Sequence, residues 1–187
     1  MPSGRRGTTA LLGYRDRAIL PRVGAALLPT PVLFDTNVFI HALARRRSQL
    51  PAAVLDALHR AYVAAPTLAE LSWLLGRLDP GHPNTAATVG TIRGAVGQIE
   101  AGTILTPTAA QWLEAGTLAG QAARAIAGGA KSVTTATDRQ ELIADAITAL
   151  LARDAGCTIV TEDADFDVLA SLLPGLTVLF YDRVPPG

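Results

Sequence analysis

The clearest rhythm in the chain lies over residues 139 to 154, where Leu142, Ile143, Ala146, Ile147, Leu150 and Leu151 recur at three- and four-residue intervals. That spacing predicts an amphipathic helix, with Gly156 as its stop. Behind it, the apolar run over 157 to 160 predicts a buried strand. A short helix follows over 165 to 172, then a turn at Pro174 and Gly175 and a last strand over 177 to 180. Upstream, Val32, Leu33 and Phe34 followed by Asp35, Thr36 and Asn37 predict a first buried strand and a polar turn, with a helix over 38 to 44. A second helix is expected from about 48 to 51, its apolar stripe formed by Val54, Leu55, Leu58 and Tyr62, with a short strand over 63 to 65.

Thr67 is expected to cap a helix running through Arg77, which the loop over 79 to 84 stops. Val89, Ile92, Val96 and Ile99 mark the next helix, and 102 to 105 reads as a strand. A further helix starts at Thr106 and Pro107, with Trp112, Leu113 and Leu118 as buried positions, and ends near Gly128. The polar connection over 130 to 137 fits no element. Strands alternating with helices predict an α/β fold: a mostly parallel central sheet of four to five strands, flanked by helices on both faces.

Residues 1 to 28 have no clear period and are rich in Arg and Gly, so they read as an N-terminal extension or poorly ordered arm, with the domain proper over 29 to 183. A chain of 187 residues, 49% hydrophobic, fits one such domain. Sixteen basic and sixteen acidic residues cancel, so nucleic-acid contact would come from local patches rather than a global positive field. Two patches exist: five Arg against one Asp in the first 22 residues, and the run Arg45, Arg46, Arg47. The single cysteine, Cys157, forms no internal disulfide, and no window approaches a membrane span, so the chain reads as cytoplasmic. Gly13, Tyr14 and the charges at 15 to 17 interrupt any signal-peptide core.

Against this neutral background four carboxylates stand out. Asp35 and Asp163 each follow a predicted strand, and Glu70 and Asp145 sit within helical patterns. In an open α/β sheet, residues just beyond strand ends are delivered to one edge, where ligands bind. Hard oxygen donors of this kind favour Mg²⁺ or Mn²⁺. Each acid also has a structural account. Asp35 fits a helix N-cap, Thr67 with Glu70 fits a capping box, and Asp163 and Asp165 fit caps of the helix behind them. Asp145 resists that account better. It lies on the flank of the apolar stripe, on the same side as Glu141 and Asp138, where like charges one turn apart oppose the helix by a few tenths of a kcal/mol. Asp138 is expected as the N-cap of this helix and Glu141 as a first-turn acid.

Three stretches together resemble the PIN-domain ribonucleases, and within them the VapC-like toxins of type II toxin–antitoxin modules. Residues 32 to 40 look like the family's opening strand and first acid, and 66 to 71 like the helix bearing the second. Residues 145 to 166 are similar to its C-terminal signature, including the Thr161-x-Asp163-x-Asp165-Phe166 element. The resemblance spans roughly 31 to 181 and implies a PIN-like fold in which Asp35, Glu70, Asp145 and Asp163 hold one or two Mg²⁺ or Mn²⁺ ions, with Asp165 a further ligand. The choice between the last two aspartates stays open. Thr36, Asn37 and Thr161 would be polar neighbours orienting a carboxylate or a metal-bound water.

The implied reaction is endonucleolytic hydrolysis of RNA, with an antitoxin protein as partner and a homodimer as the assembly. Arg45, Arg46 and Arg47 could steer the RNA backbone, although a solvated arginine run on a helix is the commoner explanation. The long N-terminal extension and the long middle region over 79 to 137 depart from the compact toxin pattern. Two alternatives therefore stand beside the toxin: a PIN nuclease of RNA processing without an antitoxin, and a catalytically silent PIN-like interaction domain. A carboxylate-nucleophile phosphatase would need a second aspartate where Asn37 stands. His41 and His59 have no nucleophilic Ser or Cys to form a triad with.

Overall fold

The computed structural model describes residues 14–24, 28–43, 49–126 and 135–183. Its centre is a five-stranded sheet, all parallel, in the order β3-β2-β1-β4-β5, built from β1 (Val32–Phe34), β2 (Tyr62–Ala64), β3 (Ile104–Leu105), β4 (Thr158–Thr161) and β5 (Thr177–Phe180). Among the described residues seven α-helices accompany it: α1 (Thr36–Leu43), α2 (Ala52–Ala57), α3 (Ala65–Arg77), α4 (Thr85–Gly97), α5 (Ala109–Ile126), α6 (Ala136–Asp154) and α7 (Asp165–Leu172). The expected α/β architecture is the one observed. Among the described residues, no helix is long and apolar enough to cross a membrane.

Both faces of the sheet are covered because its strands are apolar at successive positions. Leu33 and Ile159 face a core built with α5, α6 and α7. Their neighbours Val32, Phe34 and Val160 face a second core with α1, α2 and α3. Alternation along each strand sends adjacent side chains to opposite faces. α6 buries every residue from Ala146 to Ala152, and it ends where Gly156 takes φ +64, the left-handed conformation that glycine adopts without a Cβ clash.

Several local expectations gave way to tertiary contacts. Trp112 and Leu113 are exposed, at 47% and 77%, because α5 turns its small stripe of Ala115, Leu118, Ala119 and Ala122 inward, where α6 and α7 approach closely. Tyr62 opens β2, paired with Leu33, instead of extending α2, which ends at Ala57. Asp138 is not the N-cap of α6. Thr135 is, with its hydroxyl accepting from the Asp138 amide at 3.1 Å while the Asp138 carboxylate accepts from the Thr135 amide at 3.0 Å, a reciprocal capping box. α3 starts at Ala65 with Pro66 in its first turn, so Thr67 lies inside the helix and does not cap it.

The part of the N-terminal extension that is described, residues 14–24, lies against the outer edge of β5. The Val23 amide donates to the Phe180 carbonyl and the Phe180 amide to the Pro21 carbonyl, both at 2.8 Å, and Leu20 is buried. This segment satisfies backbone groups that an edge strand would otherwise leave open. Leu150→Ala, at a fully buried position of α6, should destabilise the protein by about 2–5 kcal/mol. Leu113→Ala should change stability by less than about 0.5 kcal/mol. Urea unfolding midpoints of the two variants check the inside and outside faces of this helical layer.

Candidate metal centre

The strand order creates the site. From β1 the chain steps outward through β2 to β3, then returns across to β4 on the other side of β1, so β1 and β4 flank the point where the winding direction reverses. Loops leaving the carboxyl ends of two such strands diverge and open a crevice between them. Phe34 pairs with Val160, which places Asp35 and Thr161 side by side at that edge.

The Asp35 carboxylate is buried and held from three sides. It accepts from the Thr36 amide at 2.6 Å, the Thr161 hydroxyl at 2.8 Å and the Asn37 side-chain amide at 3.4 Å. Glu70 reaches the same edge from α3, where the Thr36 hydroxyl donates to it. The capping box expected for Thr67 and Glu70 is therefore absent. The Thr67 hydroxyl instead lies 3.3 Å from the Thr36 hydroxyl, and Glu70 turns toward the crevice. Asp163 follows β4, with its amide bonded to the Thr161 hydroxyl at 2.9 Å and its carboxylate accepting from the Asp165 amide at 2.9 Å.

One carboxylate oxygen from each of Asp145, Asp163 and Asp165 lies within 4.8 Å of the others. These three, with Asp35, Glu70 and Glu141, line a cavity of about 680 Å³ that also exposes Thr36, Asn37, Thr137, Gln140 and Trp73. All five acids singled out in the sequence thus meet at one crevice. The closest grouping is the trio of Asp145, Asp163 and Asp165, while Asp35 and Glu70 complete the lining. Arg45, Arg46 and Arg47 lie outside the described residues. His41 is buried behind the site, its Nδ1 3.1 Å from the Tyr181 hydroxyl and its Nε2 3.6 Å from Glu162.

Electrostatically the cluster is under-compensated. Burial raises the Asp35 pKa to about 7, aided by the charges of Asp163 and Glu70 and opposed by the Thr161 and Thr36 hydrogen bonds. Burial also pushes Asp145 well above the usual carboxylate range, and the charges of Asp35, Asp163, Asp165 and Glu70 add to the shift. Asp163 is raised by burial as well. Among the described residues no Lys or Arg forms an ion pair with any of the five, although neighbouring acids are paired: Asp167 with Arg15, Glu162 with Arg183, Asp182 with Arg22. Clustered oxygen donors that lack a fixed cation and resist ionisation fit a hard divalent ion, whose charge would oppose those shifts.

One contact had no counterpart in the sequence reading. Tyr14, from the N-terminal segment, donates its phenol to Asp165 at 2.5 Å, and burial together with that bond pushes its own pKa up. The partners are 151 residues apart, and no local signal links them. Trp73 was equally unmarked, although its place three residues after Glu70 puts both on one helix face.

The sequence matches the PIN domain over residues 32–172. Among solved structures, the fold is similar to that of FitAB bound to a DNA fragment, with TM-score 0.56 and 22% identity, covering 80% of this chain and 94% of that one. It is similar to VapBC2 from Rickettsia felis bound to a promoter DNA fragment, with TM-score 0.52 and 15% identity over 81% and 98% of the two chains. It is similar also to FitAcB from Neisseria gonorrhoeae, with TM-score 0.53 and 23% identity over 79% and 96%. At these identities the likeness is one of fold. No curated protein matches the sequence.

The raised Asp35 pKa sets a stability trend. A carboxyl that ionises near pH 7 when folded and near 3.8 when unfolded favours folding below about pH 4 and forfeits that contribution as pH climbs to 7. Metal-free protein should therefore lose on the order of 3–4 kcal/mol across that window. Melting temperatures in EDTA should fall from pH 4 to 8, Asp35→Asn should flatten the fall, and Mg²⁺ or Mn²⁺ should reverse it in the wild type. A flat wild-type profile would contradict the proposed burden on Asp35.

Proposed function

The chain belongs to the PIN-domain family, matched over residues 32–172, and from that membership we propose that it is a metal-dependent endoribonuclease, the toxin of a toxin–antitoxin pair. The observation that carries the reading is the convergence of Asp35, Glu70, Asp145, Asp163 and Asp165 on one crevice with no fixed cation among the described residues. On this reading Asp145, Asp163 and Asp165, with Asp35 and Glu70, hold Mg²⁺ or Mn²⁺. A divalent ion held there would supply the means to acidify an attacking water and to neutralise charge on a phosphodiester during in-line hydrolysis.

The chain's own residues supply the orientation. Thr161 and the Thr36 amide fix the Asp35 carboxylate, and the Thr36 hydroxyl fixes Glu70, so both present oxygens to the crevice in set directions. The Asp165 amide does the same for Asp163. Similarity to the VapBC and FitAB complexes supports a protein partner of the antitoxin kind.

Purified protein should cleave RNA with Mg²⁺ or Mn²⁺ and not with EDTA. Asp35→Asn or Asp145→Asn, with fold verified by circular dichroism, should lower the rate more than about 100-fold. Thr161→Val, which removes only an orienting hydroxyl, should cost about 10–100-fold. RNA left intact in every condition, with no metal uptake by calorimetry, would overturn the reading.

A further inference from the structure

The acidic crevice leaves its polymer substrate without an obvious hold. Among the described residues its lining carries six carboxylates and no Lys, Arg or His, so near the reacting bond a phosphate backbone meets its own sign of charge. A grip close to the site must either avoid charge or place a cation at the rim. α3 provides both. Glu70, Trp73 and Arg77 follow one another at three- and four-residue steps and therefore share one helix face. Glu70 and Trp73 both line the crevice.

Trp73 is 59% exposed, and the Arg77 guanidinium carbon sits 4.9 Å from the centroid of its ring. That cation–π contact limits the motion of the indole and leaves more than half of the side chain open. A large aromatic held in this way suits a flat, uncharged ring better than an apolar peptide. Stacking on it is independent of backbone charge and available to every base. Arg77 beside the ring adds the positive charge that the crevice lacks.

We propose that Trp73, with Arg77, is the base-stacking platform that holds an unpaired nucleotide of single-stranded RNA at the mouth of the carboxylate crevice. The inference rests on the nuclease reading above and narrows its substrate to unpaired RNA, whose bases can swing out to stack. Trp73 is a substrate-positioning residue and takes no part in bond breaking.

The test uses full-length protein and a short single-stranded oligoribonucleotide. Trp73→Ala should raise KM about ten-fold or more and leave kcat within a few-fold, while Trp73→Phe should retain most of the affinity. In oligonucleotides carrying one abasic nucleotide at successive positions, one position should weaken wild-type binding to the same degree, and Trp73→Ala should add nothing there. The chain has two tryptophans, so Trp112→Phe leaves Trp73 as the sole tryptophan, which excitation at the red edge of the indole band reads selectively. In that Trp112→Phe protein, with all five acids intact and Mg²⁺ present, its fluorescence should be quenched on rapid mixing with the oligoribonucleotide, before cleavage.

RNA cleavage by the wild type with KM unchanged in Trp73→Ala, or with emission unaffected by RNA, would overturn the platform and leave the nuclease standing. Dissociation of a dimer in Trp73→Ala, seen by sedimentation, would assign the indole to a second copy of the chain and overturn it as well. A wild type that neither binds nor cleaves RNA would remove the nuclease reading and the platform together.

Discussion

Everything at the functional edge follows from burying the Asp35 carboxylate at the end of a strand that is itself covered on both faces. A carboxylate in that position loses its hydration, and only hydrogen bonds or opposite charge can replace it. Thr161 and the Thr36 amide supply the hydrogen bonds, and the β1–β4 register brings Thr161 alongside. They offset the loss only in part, since burial still holds the group near pH 7. The same Thr36 sends its hydroxyl to Glu70, so the turn after β1 organises two of the acids at once.

Much of this was legible in the sequence because the decisive residues follow strongly patterned elements. β1, α7 and β5 have apolar runs with clear punctuation, and Asp35 follows the end of β1 directly and Asp163 the end of β4 after one residue, positions the sheet topology turns into a site. What failed was decided by partners distant in sequence. An alanine-rich helix such as α5 does not reveal which face its neighbours will claim, so Trp112 and Leu113 were assigned inward on hydrophobicity alone. Thr67 and Glu70 had the spacing of a local cap, but Pro66 starts the helix earlier and Thr36, more than thirty residues upstream, takes both side chains. Asp138 was placed in the right turn and in the wrong role, because the helix starts at Ala136 and Thr135 with Asp138 three residues on forms a reciprocal capping box.

The N-terminal segment shows the same limit. Arg-rich and without period, residues 14–24 gave no sign of a docking site, yet Arg15 forks onto the nearly buried Asp167, Arg17 reaches the Glu162 carbonyl and Tyr14 meets Asp165. A paired buried carboxylate is a strong anchor, because leaving Asp167 alone would cost more than the pair gains over water. The arm therefore does two jobs. It covers the β5 edge, and it brings arginines to Asp167, Asp182 and the Glu162 carbonyl.

That distribution explains how a chain with no net charge builds a concentrated acidic site. Outside the crevice lining, arginines pair with Asp167, Asp182 and Glu162, each by a fixed side chain. The carboxylates inside it are left to hydrogen bonds and to one another. A fixed guanidinium there would relieve the repulsion permanently and would also fill the crevice. An exchangeable cation relieves it only while bound, so under the proposed function the crevice accepts a polyanion in the metal-loaded state and repels it otherwise. Metal then controls both the charge balance of the fold and admission of the substrate, and the two effects have the same origin in the burial of Asp35 and Asp145.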